Sequence, residues 1–203
     1  MRSLARFAAF VAILTGSALA QADGLSGLEK EHLLRGQTVS RKANVRQGPH
    51  RLVGGVAYTI VDWGPDQVAS LIDDVSLWNR LIPRARDVRR IANVGDDARV
   101  AVSHGNALIS VSYSMRVRRD GRLVRFWMDP TRPHDIEDVW GFFRPEALPD
   151  GRTLITFGIL IDLGDGMIRD LFEGHVQELA LEIPDNVRSV IVERSSRGQR
   201  AAR

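Results

Sequence analysis

Residues Gly64–Ile91 read GPDQVASLIDDVSLWNRLIPRARDVRRI. Gly64-Pro65 opens a helix, because the fixed φ of proline suits the first helical position. Val68, Leu71, Ile72 and Val75 recur at three and four residues and form one apolar stripe. Ser76 has the side chain of an N-cap for a second short helix over residues 77–82, and Pro83 ends that helix. Beyond Pro83 the pattern changes to two-residue alternation. So short and apolar a helix, holding one of the chain's four tryptophans, either plugs a core or stands at the mouth of a cavity.

Upstream, VGGVAYTIV (53–61) reads as a strand, with a partner in QTVSRKANV (37–45) across the turn RQGPH. Downstream the chain is a succession of strands. In ALISVSYSMRVRR (107–119), Ile109, Val111, Tyr113, Met115 and Val117 point one way. The serines and arginines between them point the other, which describes a sheet with one apolar and one wet face. Asp120-Gly121 marks a hairpin into LVRFWM. DIEDVWGFF and RTLITFGILIDL follow, and Thr153, Ile155, Phe157, Ile159 and Ile161 share a face. The chain then becomes helical from Gly166 onward. Ile168, Leu171, Phe172, Val176, Leu179, Ile183, Val187 and Ile191 make a long stripe, about 40 Å at 1.5 Å per residue. Pro184 lies in its middle and should bend it.

Helices and strands are segregated, which is the pattern of an α+β domain. The strand-to-helix start with Val68, Leu71 and Asp73 or Asp74, then Trp78 and Pro83, resembles the opening of START-like (SRPBCC) domains. The closing stretch GMIRDLFEGHVQELALEIPDNVRSVIVE resembles their long C-terminal helix. The polyketide cyclase/lipid-transport and coenzyme-Q-binding branches are the most similar. The resemblance implies a helix-grip fold: a curved antiparallel β-sheet wrapped around a long C-terminal α-helix, with two short helices after the first strand region. It also implies a hydrophobic cavity between sheet and helix, with the Trp78 helix at its rim.

The first twenty residues read as a cleaved signal peptide. Arg2 and Arg6 precede the apolar run 7–14, and Ala18-Leu19-Ala20 has the small-x-small form of a cleavage site. The expected location is the periplasm or the medium. Residues 21–33 form a lead segment, 34–193 the START-like domain, and 194–203 a basic disordered tail. Without the leader the chain has 26 basic and 25 acidic residues, and four of those arginines lie in the tail. The tail could touch an anionic membrane surface transiently, whereas no nucleic-acid motif is present. There is no cysteine, and the histidines at 32, 50, 104, 134 and 175 are scattered, so neither a metal nor another cofactor is expected.

No stretch has the spacing of a known catalytic motif. His175, at the edge of the closing stripe, and Tyr113 are the only nominees for acid/base work. Glu137 and Asp138 fall on opposite faces of a strand and cannot act as a pair. The expected ligand-binding residues begin with Trp78, Leu81 and Ile82 on the short helix. Val111, Tyr113 and Met115 follow on one strand, Trp140, Phe142 and Phe157 on two later ones. Phe172, His175 and Leu179 complete the set on the closing helix. Phe126 and Met128, or Trp127 between them, are further wall candidates. A mix of methionine and aromatic side chains suits an irregular apolar ligand. The expectation is a carrier of a lipid, quinone, isoprenoid or polyketide-like molecule. A cyclase/aromatase-like enzyme using the same cavity is the alternative, and a solid partner-binding module the third reading.

Overall fold

The computed structural model describes residues 24–105 and 110–201, with the side chains of 167–172 and 198–201 outside that description. The leader reading of residues 1–20, the orientation of Ile109 and the expected role of Phe172 all fall outside the described residues.

Eight strands form one antiparallel sheet in the order β1-β2-β8-β7-β6-β5-β4-β3. They are β1 (Val39–Gln47), β2 (His50–Val61), β3 (Ala85–Val94), β4 (Asp97–Gly105), β5 (Ser110–Asp120), β6 (Leu123–Met128), β7 (Asp138–Ala147) and β8 (Thr153–Asp162). The pairs β1–β2, β3–β4, β5–β6 and β7–β8 are hairpins with short connections, Asp120-Gly121 among them; residues 129–137 lead from β6 to its partner β7, and β2 pairs with β8, which brings early and late parts of the chain together. Helix α1 (Gly27–Leu34) precedes the sheet. Helix α2 (Pro65–Asp73), a 3-10 turn (Val75–Leu77) and α3 (Trp78–Leu81) lie between β2 and β3. The closing segment consists of α4 (Met167–Leu181) and α5 (Ile183–Ala201). This is the α+β helix-grip architecture.

Ser76 does not cap the second short helix, whose N-cap position is Leu77 without a side-chain bond; Asp74 caps the 3-10 turn before it, its carboxylate accepting from the Ser76 backbone N–H at 3.1 Å and from the Ser76 hydroxyl at 2.6 Å. Asp74 stands two positions nearer the preceding helix, and the Ser76 hydroxyl is used as a donor to it instead of as a cap. The break in the closing helix falls at Glu182, whose carbonyl accepts from Asp185 and Asn186. Pro184 therefore sits in the first turn of α5, where its missing N–H costs nothing. Helix α5 continues to Ala201, so it carries most of the arginine segment read as a loose tail.

The main core lies between the inner face of the sheet and α2, α3 and α5. Ile155, Phe157, Val100, Val124, Val187 and Val190 are among its fully enclosed members. A second cluster lies on the outer face. Leu25 and Leu33, beside and within α1, cover Tyr58, Ile60 and Leu154. Helix α1 has a capping box between Ser26 and Glu29, and Arg41 of β1 holds Glu29 in a two-pronged ion pair at 2.6 and 2.8 Å. That pair drops the Glu29 carboxyl to about 2. The lead segment is thus a docked helix. It covers the Leu154 end of the outer face of β8, and farther along that strand the Phe142 ring covers Gly158, so that all ten residues of β8 are enclosed.

The outer strands β1 and β3 do not pair with each other, so the sheet is open. Both edges carry exposed basic side chains: Arg41, Lys42 and Arg46 on β1, and Arg86, Arg89 and Arg90 on β3. Charge on an unpaired edge opposes pairing with another chain.

Candidate functional site

An apolar cavity of about 40 Å³ lies where α3, the Glu182 break and the inner face of β5–β8 meet. Trp78, Leu81 and Ile82 form one wall, Ile183 closes it from the broken helix, and Tyr113, Met115, Phe126, Val139, Phe143, Phe157 and Ile159 form the floor. Trp78 is buried, with its ring edge on Phe126 at 6.2 Å between centroids and its Nε1–H donating to the Ile72 carbonyl at 2.7 Å. The Trp78 helix thus plugs the core from one side and supplies the cavity wall on the other.

Three contacts hold this wall to the closing helices. Asn186 Nδ2 donates to the Leu81 carbonyl at 3.0 Å, Arg80 pairs with Glu193, and Arg84 donates to His175 Nε2 at 2.6 Å. Deeper along α4, the buried Gln177 side chain donates to the Gly54 carbonyl at 2.8 Å and lies 3.1 Å from the Ala43 carbonyl and Asn44 Oδ1. A buried amide is stable only when its hydrogen bonds are made, and these lock α4 onto the β1–β2 hairpin.

Among the described residues, Tyr113 and Trp78 are the two lining side chains with an N–H or O–H group, and the Trp78 N–H is already used. Behind Tyr113 lies His104, its ring stacked at 5.7 Å and its Nε2 3.1 Å from the phenol oxygen. Burial pushes the His104 ring below its ordinary value and the Tyr113 phenol above its own, so both are held neutral.

Of the expected binding residues, Trp78, Leu81, Ile82, Tyr113, Met115 and Phe157 line the cavity. Val111 packs against the core without lining it, and Leu179 is half-buried on α4. Trp140 and Phe142 require correction: both lie on the outer face. Val139, Gly141 and Phe143 take the inward positions of β7, and Phe142 covers Gly158 under the Arg144 guanidinium, 5.5 Å from its ring centre. The run VWGFF is apolar at both parities, so alternation alone could not say which set points inward. Trp127 is likewise outside, while Phe126 and Met128 are inside. His175 also requires correction as a nominee for acid/base work, because it is exposed and spent on Arg84. His104 was missed. Its signal was present, since it falls on the parity of Val100 and Val102 in β4.

A separate polar cleft of about 520 Å³ opens at the end of the sheet where β2 begins and β8 ends. There His50 Nδ1 lies 3.0 Å from Oδ2 of the buried Asp162, and the exposed His134 donates from Nδ1 to the Ile136 carbonyl at 2.8 Å. Among the described residues, no group of three or more His, Cys, Asp or Glu side chains is placed to hold a metal ion. None of the described helices is long and apolar enough to cross a membrane.

Among solved structures, a STAR-related lipid transfer protein from Xanthomonas axonopodis superposes with a TM-score of 0.59 at 15% identity, over 76% of this chain and 93% of that one. The fold is START-like. The TTHA0849 protein of Thermus thermophilus gives 0.58 at 16% identity, over 69% of this chain and 97% of that one. The Zhui aromatase/cyclase of Streptomyces sp. R1128 gives 0.51 at 15% identity, over 81% and 97%. No family model matches the sequence, and no curated protein matches it. At these identities the likeness concerns the START-like backbone alone.

Proposed function

We propose that the chain is an exported protein that holds a hydrophobic small molecule between its sheet and its closing helices. The observation that carries this reading is the composition of the cavity wall, which is apolar and aromatic apart from one phenol. Enclosing hydrocarbon contributes about 25 cal/mol per Å², so no particular chemistry is required for affinity. A lipid, quinone, isoprenoid or polyketide-like molecule fits that description.

The cavity of about 40 Å³ is much smaller than the ~300 Å³ typical of small-molecule sites. Occupancy therefore requires the wall to move. The break at Glu182 supplies the means, because Ile183 projects into the cavity from the junction of two helices. Export is supported by the leader-like residues 1–20, and brief contact with an anionic membrane surface by the arginines of α5.

The deciding experiment is native mass spectrometry of residues 21–203 purified from periplasm, with extraction of whatever is bound. A reproducible hydrophobic adduct supports the carrier and names its ligand class. A bare mass that stays unchanged after incubation with lipids and quinones leaves a solid partner-binding module. A cyclase-like enzyme is the second reading, favoured by the His104–Tyr113 pair. It requires that replacing either residue abolish turnover of a reactive polyketide-type chain while uptake of the chain persists.

A further inference from the structure

The three contacts that tie the α3 wall to the closing helices differ in what a proton does to them. The bond from Asn186 to the Leu81 carbonyl has no titratable partner. Glu193 in the second contact is held below the usual carboxylate range, first by Arg80 and also by Arg197, so it stays ionised in mildly acidic solution. The third contact responds. Arg84 Nη1 lies 2.6 Å from His175 Nε2. A guanidinium has N–H donors and no acceptor, so Arg84 donates and Nε2 receives the bond with its lone pair. The contact therefore exists only with a neutral imidazole. A proton on Nε2 would set N–H against N–H and one positive charge against another.

The surroundings offer the charged ring a second partner. Among the described residues, the charged groups around His175 are Arg84 from the α3–β3 link, Glu178 on α4, and Lys42 of β1, which pairs with Glu178 at 2.9 Å. Glu173, two residues earlier on α4, is held by Arg51 of β2 at 2.7 Å. Glu178 stands three residues after His175, within reach of it on one helix face. Arg84 is also held under strain. Among the described residues it is the one non-glycine with a left-handed backbone, at φ 56°, a region that L-residues with side chains avoid. It sits between Pro83 and Ala85, where α3 hands over to β3. We propose that Arg84 and His175 form a proton-sensitive latch: protonation of His175 breaks their bond, releases the α3 wall from α4 and opens the cavity in mildly acidic solution.

The use of the latch for ligand entry rests on the proposed carrier reading, and the test separates the two. Amide hydrogen exchange of residues 78–84 and 173–181 needs no ligand, and it is corrected for the intrinsic effect of pH on exchange. Uptake of pyrene, a fluorescent hydrocarbon, is followed by stopped flow. Both are measured on the full chain at about pH 7.5 and about pH 5.5, which span most of the range in which an imidazole changes charge. The wild type is expected to exchange and to take up pyrene about three- to tenfold faster at the lower pH, the effect of losing one exposed hydrogen bond to a charged group. His175→Gln keeps an uncharged acceptor for Arg84 and is expected to stay slow at both pH values. Arg84→Gly removes the donor, suits the left-handed backbone and is expected to be fast at both. An acceleration that survives in His175→Gln overturns the latch and assigns the acid response to another group, such as the buried His104. Equal wild-type exchange at the two pH values overturns the latch and leaves the carrier standing. Faster exchange without pyrene uptake keeps the latch and removes the carrier.

Discussion

His104 is the residue whose surroundings matter most, and it carries a pH signature. Its folded-state pKa lies below its ordinary 6.5 because burial penalises the charged ring. As pH falls below about 6.5 the unfolded chain takes up a proton that the folded chain refuses, so stability falls with it. Denaturation between about pH 5 and pH 7 should show this slope, and His104→Gln should flatten it. An unchanged slope would assign the effect to other groups. Gly54 makes a different demand. Its φ of 155° lies in the region open chiefly to glycine, and a Cβ there would sit 2.0 Å from the Ile159 carbonyl oxygen. Gly54→Ala is expected to cost about 3 kcal/mol or more in chemical denaturation. None of this close approach could be read from VGGV, because it depends on β8, about a hundred residues later.

Among the elements, α1 and the broken closing helix depart most from their sequence patterns. The lead segment reads as either loose or a short helix, and the structure decides for the helix, with Leu33 enclosed against the outer face of β2 and β8. Leu33→Ala should therefore cost about 2–4 kcal/mol, as for other buried leucines. A loose lead would show no loss. In the closing helix Pro184 predicts a bend, and the structure places the break two residues earlier. Since Pro184 lies in the first turn of α5, Pro184→Ala is expected to change stability by less than about 1 kcal/mol. The variant gains a backbone donor and lets α4 and α5 merge, which should slow ligand exchange. Equal exchange rates in stopped-flow measurements would remove the hinge.

At the scale of the molecule, one open sheet wraps one broken helix, and the short helices fill the gap between them. Arg80–Glu193, Arg84–His175 and Asn186–Leu81 are the contacts that keep this gap shut. Ile183→Ala removes a side chain from the wall and should both cost about 2–4 kcal/mol and enlarge the apolar space. The variant is expected to take up hexadecane more readily than the wild type; equal uptake would mean that the cavity is not where ligands enter.

The order of elements, the hairpin at Asp120-Gly121, the apolar parity of β5 and β8 and the bend near Pro184 were all determined by local sequence. Each depends on periodicity or on the backbone limits of single residues. Only the tertiary structure decided the parity of β7, the docking of α1, the pairing of β2 with β8 and the partnership of His104 with Tyr113. These depend on contacts between distant segments. A strand that is apolar on both faces, or a histidine stacked on a tyrosine of the neighbouring strand, has no local pattern to announce it.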